Sequence, residues 1–181
     1  MRVISGTSRG RKLKEPVNHH IRPTTDKTKE AIFNIVQFDI EGRRVLDLFA
    51  GTGQIGIEAL SRGAGSVVFV DSSPVSVKLI RENIKISGLS ELATIYERDA
   101  LHYLENDEKF DLIFIDPPYD TRLAVNAVSR IVEFDKLNIN GIIITETKTG
   151  TSRPLVTPPY SVKKEYRYGS VNITRYAREA P

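Results

Sequence analysis

From Arg44 onward the chain alternates two periodicities, and no other feature restricts its fold as much. Residues 45–49, 67–70, 94–96, 112–115 and 142–145 are short, β-branched and bounded by turn residues or charges, the signature of strands. Helical spacing fills the intervals. Ile55, Ala59 and Leu60 repeat on one face before Gly63, and Ser73-Pro74 opens a stretch carrying Val77, Ile80 and Ile84 that ends near Gly88. Residues 123–132 have the same period. Nearly continuous apolar strands separated by helices predict a parallel sheet covered on both faces, a doubly wound α/β fold. The flanks differ. Residues 1–16 read as extended with a Gly6…Gly10 turn, and Thr25-Asp26 caps a helix carrying Ala31, Ile32, Ile35 and Val36. At the far end, 162–166 and 171–176 flank Tyr168-Gly169-Ser170, an antiparallel hairpin completing the sheet. The expected organisation is a small appendage over residues 1–40 packed on a core domain over 41–181.

At 181 residues the chain has room for one domain of ordinary size. Cysteine is absent, which excludes disulfides, a thiol nucleophile and cysteine-ligated metal. Three histidines, His19, His20 and His102, offer little to a metal centre, and no metal is expected. No apolar run approaches the roughly 20 residues of a membrane span, so a cytoplasmic monomer without membrane association is the expectation. Charge is unevenly spread. Residues 1–30 carry eight Lys/Arg against three Asp/Glu, residues 31–150 carry 12 against 18, and residues 151–181 carry six against two. Basic ends around an acidic middle suit a polyanion partner as well as they suit solvated faces.

The run Val45-Leu46-Asp47-Leu48-Phe49-Ala50-Gly51-Thr52-Gly53-Gln54-Ile55-Gly56 is a strand entering a glycine turn and then a helix. Gly51, Gly53 and Gly56 satisfy the dinucleotide fingerprint, and Asp71 follows at the end of the next strand, where a carboxylate can hold ribose hydroxyls. That pattern alone does not separate nicotinamide from other adenosine-bearing cofactors. Asp47 tilts the choice. A carboxylate under the loop would repel a pyrophosphate, whereas S-adenosylmethionine carries a positive sulfonium and ammonium and no phosphate.

A second constellation, Asp116-Pro117-Pro118-Tyr119, closes the apolar run 110–115. The prolines fix φ and cannot donate, so carbonyls and the Asp116 carboxylate face outward as acceptors beside a flat ring. Such a set can take both hydrogens of a ring-conjugated amine and free its lone pair toward an electrophile, while Tyr119 stacks on the base. Thr157-Pro158-Pro159-Tyr160 repeats the last three residues without the strand or the carboxylate, and reads as structural punctuation. In a doubly wound sheet, ligands lie beyond the carboxyl ends of the strands. Neighbouring strands would bring the tips at 51 and 116 within about 5 Å, placing donor methyl against acceptor nitrogen.

These motifs resemble the class I S-adenosylmethionine-dependent methyltransferases with their Rossmann-like fold, and more narrowly the bacterial 16S rRNA guanine-N2 methyltransferase family of the RsmD type. The likeness extends to Arg2-Val3-Ile4-Ser5-Gly6, Arg9-Gly10-Arg11-Lys12-Leu13, Arg22-Pro23-Thr24-Thr25-Asp26 and Glu58-Ala59-Leu60-Ser61-Arg62-Gly63-Ala64. It implies Asp47, Phe49, Ala50, Gly51, Thr52 and Gly53 around the cofactor, with Asp71 and Ser72 at its ribose and Asp99 with Ala100 at its adenine. It implies a target-base pocket from Asp116, Pro117, Pro118 and Tyr119, with Arg22 and Thr24 over the active site. Arg9, Arg11 and Lys12 would meet the phosphates of ribosomal RNA, free or in the small ribosomal subunit. Ser8 departs from the bulky aromatic that such a family leads one to expect. An adenine-N6 methyltransferase of DNA or RNA, a protein-glutamine methyltransferase, a nicotinamide oxidoreductase and a non-catalytic RNA-binding module remain rivals.

Overall fold

The computed structural model describes residues 1–16, 25–118 and 121–180. In chain order the elements are α1 (Asp26–Ile35), β1 (Arg44–Leu48), α2 (Gln54–Ser61), β2 (Ser66–Asp71), α3 (Pro74–Ser87), β3 (Ala93–Glu97), α4 (Ala100–Tyr103), β4 (Phe110–Ile115), α5 (Thr121–Glu133), β5 (Leu137–Lys148), β6 (Tyr160–Tyr168) and β7 (Val171–Arg178). Seven strands form one sheet in the order β3-β2-β1-β4-β5-β7-β6, the first five parallel and β7 antiparallel to both neighbours. The expected hairpin is present, but its second strand is the inner one. β7 docks along β5 from Ile142↔Ala177 to Lys148↔Val171, leaving β6 at the edge.

Alternation along each strand divides the core. Val45, Phe69, Phe114 and Ile144 face one side with α1, α2 and α3, whereas Leu46, Val70, Ile113 and Ile143 face the other with α4 and α5. β5 exceeds its expected length. Asn138, Asn140 and Gly141 look like a turn in sequence, yet the strand runs through them. A register shift between Phe110 and Leu112 and a left-handed Asn140 (φ 61°) absorb the irregularity.

The amino-terminal arm folds as the sequence suggests, with Arg2 bridging Lys12 and Val3 bonded to Arg11 and Gly10 around the Gly6…Gly10 turn. Thr25 caps α1, its hydroxyl accepting from the Thr28 amide. The arm is fastened to α2 and α3 by groups that an amphipathic pattern does not reveal. Glu58, wholly buried, accepts from the Ile4 and Ser5 amides at 2.8 and 2.9 Å. Lys29, equally buried, lies 3.8 Å from Glu58 and donates to the Arg2 carbonyl at 2.6 Å. Ser8 is buried too, its hydroxyl donating to the Ser87 carbonyl and its amide donating to the Ser61 hydroxyl. The departure at Ser8 therefore reflects a side chain used for anchoring.

Among the described residues, no helix is long and apolar enough to cross a membrane, and no cluster of three or more His, Asp or Glu is suited to a metal ion.

Candidate active site

The winding of the sheet reverses between β1 and β4, and both motifs stand there. Asp47 pairs with Phe114 and Leu48 with Ile115, so the glycine loop and the Asp116 turn leave the same edge on adjacent strands, spaced about 4.8 Å. The juxtaposition expected from the sequence is met.

The loop holds an unusual backbone. Phe49 and Gly51 have φ of 69° and 55°, and Gly53, which caps α2, has φ 76°. Only Gly takes the last conformation without strain, while Phe49 bears a cost of the kind that collects at ligand sites. Gly56 serves another purpose: a Cβ there would lie 2.3 Å from the Phe69 ring, so α2 could not approach the sheet. Ala50 donates to the Val70 carbonyl and Gly53 to the Ala50 carbonyl, which fixes the turn from inside.

Carboxylates organise the surroundings. Asp71 accepts from the Gly51 amide at 2.8 Å on one oxygen and from the Ser73 amide at 2.9 Å on the other, tying the tip of β2 to the loop. Each oxygen keeps a lone pair for a hydroxyl. Asp47 is 3% exposed and accepts the Gly56 amide at 2.8 Å. Burial above all, with the charges of Asp116 and Asp71 adding to it, pushes its carboxyl up to about 8 against that hydrogen bond. It thus lies behind the loop, where burial and the neighbouring acids favour its protonated form and a nearby cation would favour its ionised form. Three acids at one edge repel one another, and a cationic ligand relieves that repulsion whereas a pyrophosphate aggravates it.

The other expected residues are placed as follows. Asp99 caps α4, its carboxylate accepting from the His102 amide at 2.9 Å, with Ala100 buried behind it and Ser72 exposed. Asp116 and Pro117 are half-buried and Pro118 exposed. Arg9 and Lys12 are exposed on the arm. Arg11 is partly engaged: its guanidinium donates to the Ile86 carbonyl at 2.7 Å, at the end of α3. Tyr119, Arg22, Thr24, His19 and His20 lie outside the described residues. Thr157–Tyr160 is far from this edge, and the Tyr160 hydroxyl donates to Asp135 at 2.9 Å. Sequence reasoning missed Glu58, Lys29 and Asn83, charged or polar residues inside helices whose burial no local pattern signals.

The model of the family described as Conserved hypothetical protein 95 matches residues 1–177. YlbH of Bacillus subtilis is 37% identical over 98% of this chain and 99% of its own length. Ribosomal RNA small subunit methyltransferase D of Haemophilus influenzae is 35% identical over 97% of this chain and 93% of its own. Among solved structures, yhhF of Escherichia coli superposes with a TM-score of 0.90 at 28% identity, covering 100% of this chain and 99% of that one.

Proposed function

The chain belongs to the Conserved hypothetical protein 95 family and to that of ribosomal RNA small subunit methyltransferase D, and on that premise we propose that it methylates the exocyclic N2 of a guanine in small-subunit ribosomal RNA. The observation that carries this is the placing of the glycine loop and the Asp116 turn on adjacent strand tips, beside a cluster of acids formed by Asp47, Asp71 and Asp116.

S-adenosylmethionine fits the loop because its positive charges offset those acids and its ribose offers hydroxyls to Asp71. When bound it supplies an electrophilic methyl group on sulfur, with neutral S-adenosylhomocysteine as the leaving product. Gly51, Thr52 and Gly53 would hold its methionine part, Asp71 and Ser72 its ribose, and Asp99 with the Ala100 backbone its adenine. Asp116 and the Pro117 carbonyl accept the two amine hydrogens of the target base. Holding both hydrogens draws N2 away from conjugation with the ring and aims its lone pair across the gap between the strand tips. Asp116 offsets the positive charge that develops on nitrogen as the carbon–nitrogen bond forms, one N2 proton then passing by way of its carboxylate to solvent, and Tyr119 would stack on the guanine. The target nucleotide leaves its stack to enter, at low cost from a loop.

Arg9 and Lys12, with the free donors of Arg11, face RNA phosphate from the arm. The substrate is ribosomal RNA, free or within the small subunit, met in the cytoplasm by a monomer.

Mass mapping of small-subunit ribosomal RNA from cells lacking this protein tests the reading. One guanine is expected to lose a methyl group and to regain it on complementation. An unchanged map overturns it, and loss of a methyl from adenine transfers the assignment to the N6 class.

A further inference from the structure

Asparagine is a poor residue inside a helix, since its amide competes with the backbone, so a buried Asn in mid-helix signals work done elsewhere. Asn83 stands well within α3, with no exposed surface. Its side chain is fully spent. Oδ1 accepts from the Lys14 amide at 2.7 Å, and Nδ2 donates to the Lys14 carbonyl at 3.2 Å and to the Thr52 carbonyl at 2.9 Å. The first two bonds grip the arm as a neighbouring strand would. The third reaches the middle of the glycine loop.

Thr52 is held by the arm on a second side, its hydroxyl lying 3.4 Å from the Met1 sulfur. Its carbonyl belongs to the peptide leading into Gly53, and glycine accepts either orientation of such a plane at little cost. The Gly53 amide is in turn bonded to Ala50, and its Cα faces Ile80 of α3. The Asn83 bond on the carbonyl and the Ala50 bond on the amide therefore hold both ends of one peptide plane, the first of them from the arm-bearing helix, in the segment assigned above to the methionine part of S-adenosylmethionine.

We propose that Asn83 is a positioning residue: it fixes the Thr52–Gly53 peptide of the glycine loop and ties it to the arm at Lys14, and so sets the affinity for S-adenosylmethionine without taking part in transfer. The inference rests on the proposed cofactor. Asn83→Leu preserves volume and removes all three bonds, and Asn83→Ala is a smaller companion. Calorimetric titration of the folded proteins with S-adenosylmethionine should show Kd raised about tenfold, the worth of one buried bond, with kcat at saturating S-adenosylmethionine within about twofold of the parent. Unchanged Kd, or a fall in kcat at unchanged Kd, overturns the proposal. In the unmodified protein, S-adenosylmethionine should also shift the nuclear magnetic resonance signals of the Asn83 side-chain amide; constancy on saturation overturns it independently of any variant. A parent that binds no S-adenosylmethionine refutes the cofactor instead, and that titration comes first.

Discussion

The two Pro-Pro segments share composition and stand at opposite edges of the sheet. Asp116-Pro117-Pro118 leaves the carboxyl end of β4 beside the glycine loop. Pro158-Pro159 leads into β6, where buried Tyr160 pairs with Arg178 at the other edge and bonds to Asp135. Their electrostatics are opposed. At the first edge Asp47, Asp71 and Asp116 crowd together, and burial with mutual repulsion lifts the Asp47 carboxyl to about 8. At the second, Asp135 meets Arg178 at 2.7 Å, Lys109 at 2.6 Å and the Tyr160 hydroxyl, and these hold its carboxyl far below the ordinary range. One edge gathers acids whose repulsion favours protonation; at the other the acid is held ionised by cations. A short motif acquires chemistry from the strand end on which it sits.

The contrast can be broken most severely at Asp116. Asp116→Ala should lower kcat by about 10²–10³-fold, the usual effect of deleting a group aimed at developing charge, while Kd for S-adenosylmethionine stays within twofold. Retained transfer removes Asp116 from the chemistry.

Acid and alkali should act oppositely on the two edges. Asp47 binds its proton more readily folded than unfolded, so its contribution to stability is complete below pH 4 and is lost as pH rises toward about 8. Asp135 contributes above its ordinary range, and that contribution is lost as pH falls. Chemical denaturation across pH 5–8 should show the first slope, with Asp47→Asn flattening it; an equal slope in that variant rejects the crowded edge. Tyr160→Phe should cost about 2 kcal/mol, since its hydroxyl donates to the Asp135 carboxylate and accepts from the Leu137 amide, with transfer by the folded protein unaltered. A selective loss of transfer would mean that the second segment is not merely structural. The smallest effect belongs to the arm. Replacing Arg9 and Lys12 by Ala should reduce the salt slope of RNA binding by about 1.5, and an identical slope would detach both from the phosphates.

Much of this is legible in the amino-acid sequence. Strand-length apolar runs identify the five parallel strands, and the two motifs identify the edge where a ligand belongs, because glycine, proline and aspartate impose backbone and charge wherever they stand. The position of β7 inside β6 was not legible, since a hairpin pattern does not say which strand docks. Nor was the burial of Glu58, Lys29 and Asn83. In a helical pattern they look solvated, and only the arm, distant in sequence, covers them. Arg11 illustrates the reverse: a basic residue in a basic segment that spends part of its guanidinium on the carbonyl of Ile86.

Fastening of the arm through its main chain has a consequence for change over time. Glu58, Ser61 and Asn83 grip amides and carbonyls at residues 4, 5, 7, 8 and 14. Most side chains on the outer surface can then be rewritten while the attachment persists. Gly6 is the exception, for a Cβ there would fall 1.7 Å from the Ser61 carbonyl oxygen. A mount that grips mostly backbone, with Ser8 as its buried side-chain peg, lets selection, or an engineer, exchange outward residues such as Arg9 and Lys12 while the attachment of the arm stays as it is.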